Sequence, residues 1–327
     1  METSSLVNQI QDAQQLIAQI KQEMGRFIVG QQHLINCLLI AVLADGHLLL
    51  EGVPGIAKTL AANTFARLIA CEFKRVQFTP DLLPADLVGT QIYNPKDGSF
   101  SVKPGPIFTN ILLADEINRA PAKVQAALLE VMQEKQITIG GETFAAPNPF
   151  LVLATQNPID QEGTYPLSEA QTDRFLMKVL LTYPSHEEEH EILRRMGSSK
   201  PLPAVRPLLT ADIIFRLREL VDAIYLDDRV VDYLLRLVGA TRNPKEYGVD
   251  IVGLLDYGAS PRASLGLQKC AKARALLSGR YFVTPQDIKS VYHDVLRHRL
   301  HLSYEAEAEH LSTDQVIDRI ISTLAIP

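Results

Sequence analysis

The chain has 327 residues, a formal net charge of -6 and a hydrophobic content of 46%. This length predicts about two domains. The negative charge argues against a general nucleic-acid binder, because such a domain is usually basic.

The three cysteines, Cys37, Cys71 and Cys270, are far apart and form no Cys-x-x-Cys pair. This spacing predicts a reducing compartment. The longest apolar run, Cys37 to Ala44, is far shorter than the roughly 18 residues that a membrane span needs. We therefore expect a cytoplasmic protein without an N-terminal signal or a membrane span.

Apolar residues recur at alternating steps of four and three from Leu6 to Met24, which predicts an amphipathic helix. Packing on the chain's own core is the favoured use of this helix, and a short coiled-coil arm is the alternative. Val29 and Gly30 come next, and a second apolar helix is predicted from His33 to Ala44. Apolar side chains and exposed backbone between the two helices are suited to clamping an adenine ring.

The stretch after residue 50 resembles a phosphate-binding loop, whose template is G-x-x-x-x-G-K-[ST]. Gly52, Lys58 and Thr59 fit this template, whereas Ala57 stands at the second glycine. Alanine is acceptable there if its φ is negative. The predicted loop comprises Gly52, Val53, Pro54, Gly55, Ile56, Ala57, Lys58 and Thr59. The alternative is a turn that contains Lys-Thr by chance.

The flanks of this loop favour phosphate binding. A buried strand is predicted from His47 to Leu50 and a helix from Leu60 to Ala70. Backbone N–H groups at the start of such a helix point at an anion. We predict that Lys58 neutralises the β- and γ-phosphates of ATP and that the Thr59 hydroxyl binds Mg²⁺.

A strand is predicted at 76–78, a short helix at 81–87, and a first hairpin at 91–93 and 99–102 around the turn residues 94–98. A helix follows at 121–134, and a second hairpin at 136–139 and 142–144. Two hairpins are more than a nucleotide-binding core requires. Decorative surface loops are the alternative reading.

The run from Ile111 to Glu116 reads as a buried strand that ends in two adjacent carboxylates. The carboxyl ends of parallel strands border the ligand crevice. We therefore predict that Asp115 binds Mg²⁺, directly or through water, and that Glu116 orients and deprotonates the attacking water. The alternative is a strand that ends in a solvated acidic turn.

A third buried strand is predicted at 150–154, and three polar residues follow it. A polar side chain at that end of the sheet can reach the water between Glu116 and the γ-phosphate. Asn157 suits this role by position, but Thr155 and Gln156 remain alternatives.

A helix is predicted at 167–175, and it carries Arg174 near its end. The ordinary reading of this arginine is a surface salt bridge. A strand at 179–181 closes the predicted sheet, and Pro184-Ser185 marks the domain boundary. We thus expect a nucleotide-binding domain at 1–184 and a helical lid domain at 185–327.

The second domain reads as amphipathic helices at 187–196, 211–224, 229–240, 261–277 and 285–297. Ser260-Pro261 opens the fourth helix and places Arg262 in its first turn, where the helix dipole disfavours a cation. An arginine there makes better sense facing an anion, and a solvated arginine is the alternative. His298 and His301 lack a third ligand, which argues against a metal site.

Four segments, in order, resemble a MoxR-family AAA+ ATPase of the helix-2-insert group. They are Gly-Val-Pro-Gly-Ile-Ala-Lys-Thr at 52–59, Leu-Ala-Asp-Glu-Ile-Asn-Arg-Ala-Pro at 113–121, Ala-Thr-Gln-Asn-Pro at 154–158 and Ser-Glu-Ala-Gln-Thr-Asp-Arg-Phe at 168–175. The resemblance covers nearly the whole chain, and it makes Ala57 a normal feature of the family's loop. It implies an α/β P-loop NTPase core with a parallel sheet and a C-terminal all-α lid.

The resemblance also implies roles for individual residues. Asn157 would be sensor 1, Arg174 an arginine finger that acts on a neighbouring subunit, and Arg262 sensor 2. The hairpins would be the helix-2 insert and the pre-sensor hairpin. The expected protein is a Mg²⁺-dependent ATPase in a ring, which the resemblance implies to be a hexamer, with ATP and Mg²⁺ as cofactors.

For its output, the resemblance implies chaperone-like remodelling, assembly or activation of target protein complexes, often with insertion of a metal cofactor, and a partner with a von Willebrand factor A domain. A nucleic-acid motor and a nucleotide-gated binding scaffold are the alternatives. The hairpin lysines Lys96, Lys103 and Lys135 are too sparse to favour the motor. A passive scaffold would not need Glu116 or Asn157.

Overall fold

The computed structural model describes residues 2–53, 55, 58–96, 98–157, 164–197 and 204–327. Three residues of the predicted phosphate loop, Pro54, Ile56 and Ala57, lie outside these ranges. The chain forms two compact units. The sheet unit comprises Gln19–Phe175 and Val179–Ile214, and the helical unit comprises Met1–Ala18, Leu176–Lys178 and Phe215–Pro327.

The strands and helices follow each other in a mixed order typical of α/β proteins. The strands are β1 Leu48–Glu51, β2 Phe73–Gln77, β3 Gly89–Tyr93, β4 Phe100–Pro104, β5 Ile111–Asp115, β6 Gln136–Ile139, β7 Glu142–Ala145, β8 Leu151–Gln156, β9 Met177–Leu180, β10 Leu255–Tyr257 and β11 His301–Leu302. The helices are α1 Glu2–Phe27, α2 Gln32–Leu43, α3 Lys58–Leu68, α4 Pro84–Val88, α5 Ala122–Glu134, α6 Glu169–Thr172, α7 His186–Met196, α8 Ala211–Ala223, α9 Asp228–Arg242, α10 Pro261–Leu277, α11 Pro285–Leu296, α12 Tyr304–Ala308 and α13 Thr313–Thr323.

The central sheet has five strands in the order β2-β5-β8-β1-β9. The pairs β2–β5, β5–β8 and β1–β8 are parallel. Residues 111–114 and 151–155 are all buried, as expected for strands that are covered on both faces. The parallel α/β core predicted from these apolar runs is confirmed. Its topology brings the carboxyl ends of β1, β5 and β8 to one edge of the sheet.

Both predicted hairpins are confirmed. Strands β3 and β4 form an antiparallel pair, and so do β6 and β7. The helix predicted at 167–175 is shorter than expected, because α6 has four residues. Its start is fixed by a capping box in which the Ser168 N–H donates to Gln171 Oε1 at 2.7 Å. The chain beyond α6 leads through Arg174 to the fully buried Phe175.

The helical unit is built mainly from α9, α10, α11 and α13, and it also holds the two-stranded ribbon β10–β11. The predicted start of α10 is confirmed, and the Ser260 hydroxyl caps this helix by accepting a hydrogen bond from the Arg262 N–H at 3.2 Å. Two short C-terminal helices, α12 and α13, were not predicted. Among the described residues, no helix combines the length and the apolar character that a membrane span requires.

Contacts group α7 with the sheet unit. Arg195 on α7 donates to the Gly25 carbonyl at 2.7 Å, and the Glu188 carboxylate packs directly against Gly30. The compact units therefore divide the chain beyond α7, whereas the predicted domain boundary follows residue 184. That boundary stays a prediction about domains.

Candidate active site

A cavity of about 440 Å³ lies within the sheet unit. Six of the predicted site residues line it, namely Gly55, Lys58, Thr59, Asp115, Glu116 and Asn157. Of the other residues that the structure describes, Leu60, Arg75 and Gln77 also line it. The parallel sheet explains this convergence, since the ends of adjacent parallel strands meet at one edge.

Lys58 lies near the end of the predicted phosphate loop and begins helix α3. Its ammonium group donates to the Gly52 carbonyl oxygen at 2.7 Å. This hydrogen bond connects the beginning of the loop to the start of α3. Burial lowers the pKa of Lys58, while the neighbouring charges of Asp115, Glu116 and Glu51 act to raise it. A half-buried ammonium group at a helix start is well placed to bind an anion.

Thr155 on β8 connects the two carboxylate residues. Its side chain is fully buried, and its hydroxyl donates to Asp115 Oδ1 at 2.6 Å. The same hydroxyl accepts the backbone N–H of Glu116 at 2.8 Å. Glu116 has a φ of 56°, in the left-handed region that non-glycine residues rarely adopt. The buried threonine thus holds Glu116 in a strained backbone conformation of the kind that clusters at functional sites.

The Glu116 carboxylate has two partners within the sheet unit. Gln77 on β2 donates its amide to Glu116 Oε2 at 2.7 Å, and Arg119 donates to the same oxygen at 3.1 Å. Gln77 is in turn bonded to Arg75, whose guanidinium donates to Gln77 Oε1 at 3.0 Å. The carboxylate predicted as the general base is therefore held by a polar network from the neighbouring strand.

The three polar residues after the third buried strand occupy different environments. Thr155 is buried beneath the carboxylates, and the Gln156 carbonyl accepts the Gly52 N–H at 3.4 Å. Asn157 lines the cavity. Among these three residues, Asn157 has the position that suits contact with a ligand in the cavity.

Six predicted site residues that the structure describes do not line the cavity, namely Gly52, Val53, Val29, Gly30, Arg174 and Arg262. Val29 and Gly30 lie between α1 and α2, where Gly30 has a φ of 65° and contacts Glu188. Arg174 donates to Gln133 Oε1 at 3.0 Å. Arg262 is an exposed residue of the helical unit, in the first turn of α10. The roles predicted for these six residues stay predictions.

Arg75 and Gln77 were not predicted as site residues. The predicted strand at 76–78 covers only part of β2, which extends over Phe73–Gln77. Alternate residues of a strand share one face, so Arg75 and Gln77 point the same way. Gln77 is paired in register with Asp115. The sequence signal for this pair was two polar residues, two positions apart, near the end of a short strand.

The cavity suits a nucleotide with a divalent metal ion. Its volume lies within the range of about 300–1,000 Å³ that is typical of small-molecule sites. Thr59 and Asp115 offer hydroxyl and carboxylate oxygens, which are the ligands that Mg²⁺ prefers. Lys58 supplies positive charge for phosphates. The donor set therefore fits both ATP and Mg²⁺.

Comparison with known proteins agrees with this site. Residues 47–177 match the ATPase family associated with various cellular activities (AAA), and residues 253–320 match the AAA lid domain. The chain is 53% identical over 306 residues to "Chaperone MoxR1" of Mycobacterium tuberculosis, which covers 93% of this chain and 81% of that protein. It is 30% identical over 328 residues to "Protein MoxR" of Methylorubrum extorquens, with 95% of each covered.

A solved crystal structure of a candidate ATPase from Cytophaga hutchinsonii is similar to the whole molecule. The TM-score is 0.93 at 49% sequence identity, and the match covers 100% of this chain and 99% of that chain. The parallel sheet, the cavity and these matches together define an AAA ATPase with a helical lid, which binds and hydrolyses nucleotide. Within that class, the chain belongs to the MoxR family.

Proposed function

We propose that the cavity hydrolyses ATP in a Mg²⁺-dependent reaction and that hydrolysis drives remodelling of target protein complexes. The observation that carries the first part is the meeting of Lys58 and Thr59 with Asp115 and Glu116 in one cavity. A passive nucleotide-binding scaffold would not need a carboxylate held at the end of β5. The scaffold is therefore disfavoured.

In the proposed reaction, the residues of the phosphate loop, Gly52 to Thr59, hold the triphosphate. Glu116 accepts a proton from the attacking water, and Asn157 orients that water. Thr59 and Asp115 would hold Mg²⁺, which neutralises charge on the phosphates when bound. Thr155 keeps both carboxylate residues in place through its two hydrogen bonds.

We propose further that the site is completed in a ring of identical subunits, a hexamer by family resemblance. Arg174 would act on the γ-phosphate of a neighbouring subunit, and Arg262 would link the lid to the nucleotide. An arginine finger is worth about 10³–10⁵ in rate, so a lone subunit should hydrolyse ATP slowly. Val29 and Gly30 would clamp the adenine ring.

The remodelling role is supported by the name of MoxR1, which is described as a chaperone. It is also supported by the β3–β4 hairpin, where Tyr93 and Phe100 are exposed and their ring centroids lie 5.2 Å apart. Exposed apolar side chains at the end of a hairpin are suited to contact another protein. We place the protein in the cytoplasm, with a von Willebrand factor A domain protein as a partner and insertion of a metal cofactor as one candidate task.

Substitution of Glu116 by Gln tests the catalytic assignment. Steady-state ATP hydrolysis should fall by about 10²-fold or more, because the general base is lost, while ATP binding persists. Glu130→Gln is the matched control, since Glu130 is an exposed acid on α5 outside the cavity. Unchanged turnover in Glu116→Gln would remove Glu116 as the base.

Mixed rings test the action of Arg174 on a neighbour. Subunits with Arg174→Ala should regain activity when they are mixed with Lys58→Ala subunits, because each variant keeps the residue that the other lacks. A sample of Lys58→Ala subunits alone is the control without recovery. Absence of recovery in well-assembled mixed rings would count against Arg174.

Capture experiments test the target. The Glu116→Gln variant in ATP should retain protein targets, which can be identified from the material that co-purifies. A parallel capture with a Phe100→Ala, Glu116→Gln double variant tests the hairpin, and we expect it to retain less target. Equal retention by the two variants would exclude the Phe100 ring as a target contact.

A nucleic-acid motor is the second candidate function. The neighbouring rings of Tyr93 and Phe100 lie on strands that also carry Lys103, with Lys96 in the turn, and aromatic rings beside cations can bind single strands. Stimulation of ATP hydrolysis by DNA but by no protein partner would place this function first. The net charge of -6 favours the protein target.

A further inference from the structure

Both carboxylate oxygens of Asp115 are engaged by other side chains. Oδ1 accepts the Thr155 hydroxyl at 2.6 Å. Oδ2 accepts two N–H groups of Arg75, from Nε at 3.0 Å and from Nη2 at 2.6 Å. The carboxylate predicted to bind the metal ion therefore already has a cation as its direct partner.

The two partners of Asp115 differ in how readily they can move. Thr155 lies in the central strand β8 and is fully buried, so its hydroxyl is fixed. Arg75 lies on β2, the outermost strand of the sheet, and 49% of its side chain is exposed. An exposed guanidinium on a long stem can leave at small cost.

We propose that Arg75 competes with the divalent metal ion for Oδ2 of Asp115 and thereby sets the Mg²⁺ concentration that nucleotide binding requires. This inference rests on the proposed role of Asp115 as a metal ligand. Arg75 is a positioning residue here, because it acts through Asp115 and not on the nucleotide.

Electrostatic repulsion decides whether Arg75 and the metal ion compete for Oδ2 of Asp115 or bind it together. Arg75 lines the same cavity as Thr59, the second oxygen ligand proposed for the metal. A divalent cation at Oδ2 would lie within a few ångströms of the guanidinium, and two cations at that separation repel each other strongly in a partly buried site. Arg75 must therefore leave Oδ2 as the metal binds.

Gln77 remains a hydrogen-bond partner for the displaced guanidinium of Arg75. Arg75 Nη2 donates to Gln77 Oε1 at 3.0 Å as well as to Asp115, so one of its partners remains after release. The cost of displacement is then the loss of one ion pair and not of every contact of Arg75. The expected competition is modest in size, as suits a site that must still bind the metal.

The opposite hypothesis is that Arg75 helps the metal by orienting Asp115. The two hypotheses predict opposite changes in the Mg²⁺ concentration for half-maximal binding when Arg75 is replaced. If Arg75 competes, its loss lowers the Mg²⁺ concentration for half-maximal binding. If Arg75 supports the metal site, its loss raises that concentration.

The test is a Mg²⁺ titration of the binding of a fluorescent, non-hydrolysable ATP analogue to the full chain. For Arg75→Gln we expect the half-saturating Mg²⁺ concentration to fall by about threefold to fivefold, the size that a half-exposed ion pair allows. Arg75→Lys keeps the charge and should lie closer to the wild type. Binding in EDTA is measured separately, so that any direct contact of Arg75 with phosphates appears there.

Arg119→Gln is the matched control, because it removes the same charge beside Glu116 and leaves the Arg75 contact with Asp115 intact. Its half-saturating Mg²⁺ concentration should stay within about twofold of the wild type, since the Arg119 side chain is 45% exposed and exposed charge pairs are worth little. An equal fall in Arg119→Gln, or an unchanged or raised value in Arg75→Gln, would overturn competition. If binding of the ATP analogue to the wild type did not depend on Mg²⁺, both the metal role of Asp115 and this inference would be overturned. Melting temperatures establish that each variant is folded.

Discussion

Two clusters in this protein have the same composition, an aspartate with an arginine and a threonine. The site cluster is Asp115, Arg75 and Thr155 in the sheet unit. The lid cluster is Asp287, Arg280 and Thr284 at the start of α11 in the helical unit. Their chemistry is alike, yet only the site cluster borders the cavity of the candidate active site.

The clusters differ in how completely each carboxylate is used. In the lid cluster, Arg280 binds both oxygens of Asp287, at 2.7 and 2.5 Å. Thr284 adds its backbone N–H and its hydroxyl, both at 2.8 Å. In the site cluster, Arg75 holds one oxygen and is itself half-exposed. A closed cluster stabilises the fold, whereas a cluster open on one side can exchange a partner for a ligand.

Asp115→Asn and Asp287→Asn should separate the two clusters most strongly. Asparagine is a weaker ligand for Mg²⁺, and a metal ion contributes several kcal/mol to charge stabilisation. Turnover of Asp115→Asn should therefore fall by about 10²-fold or more. Asp287→Asn should instead lower the melting temperature. Steady-state ATPase assays and thermal unfolding of both variants measure these two effects. A large loss of stability in Asp115→Asn would contradict the distinction between the two clusters.

Thr155→Val should have the next largest effect. Valine keeps the shape but leaves the Glu116 N–H and the Asp115 Oδ1 without their partner, and an unsatisfied buried group costs about 1–3 kcal/mol. Because Thr155 positions both carboxylate residues, we expect turnover to fall by about 10- to 100-fold, which corresponds to about 1.4–2.8 kcal/mol in the activation barrier. Thr155→Ser restores the hydroxyl and should recover most of the turnover. Failure of serine to rescue would show that the threonine methyl group matters more than the hydrogen bonds.

The sequence predicts the central strands well because burial dominates there. Residues 111–114 and 151–154 are apolar without interruption and lie in the middle of the sheet, so local composition and tertiary position agree. Asp115 and Glu116 follow directly, and their place at the sheet edge is a consequence of the parallel topology. The start of α10 at Ser260-Pro261 was predicted equally well, because the signal and the structure lie within three residues.

Arg75 could not be predicted in the same way. It lies on an edge strand with a partly exposed face, where a charged residue is unremarkable. Its contact with Asp115 depends on the register that pairs Gln77 with Asp115, which is a long-range relation. The helix predicted at 167–175 failed for a related reason, since tertiary packing buries Phe175 beyond the end of α6.

The stability that the lid cluster contributes to the protein should depend on pH. Burial raises the pKa of Asp287, but the hydrogen bonds from Arg280 and Thr284 lower it by more, so the pKa lies below its ordinary value. Its contribution is therefore complete above the unfolded pKa of about 3.9 and is lost as the pH falls through the folded pKa.

Unfolding of the wild type and of Asp287→Asn across pH 7 to 3 measures this contribution. At neutral pH the variant should be less stable by about 1–3 kcal/mol, the usual cost of a broken buried hydrogen bond to a charged group. The difference between the two proteins should shrink below about pH 4. A difference that stays constant with pH would mean that the charge of Asp287 is not what stabilises α11.

Thr284→Val should have the smallest effect, and it makes the same substitution as Thr155→Val in the other cluster. Only the hydroxyl bond to Asp287 is lost, because the backbone N–H of residue 284 still donates to that carboxylate. A lost cap bond costs about 0.5–2 kcal/mol, and here we expect the lower end because the N–H bond remains. The melting temperature should fall by about 1–4 °C, while the Mg²⁺ dependence of ATP-analogue binding stays at the wild-type value. If Thr284→Val shifted that Mg²⁺ dependence as well, the lid cluster would be coupled to the nucleotide site, and its closed geometry would then serve the reaction and not only the fold.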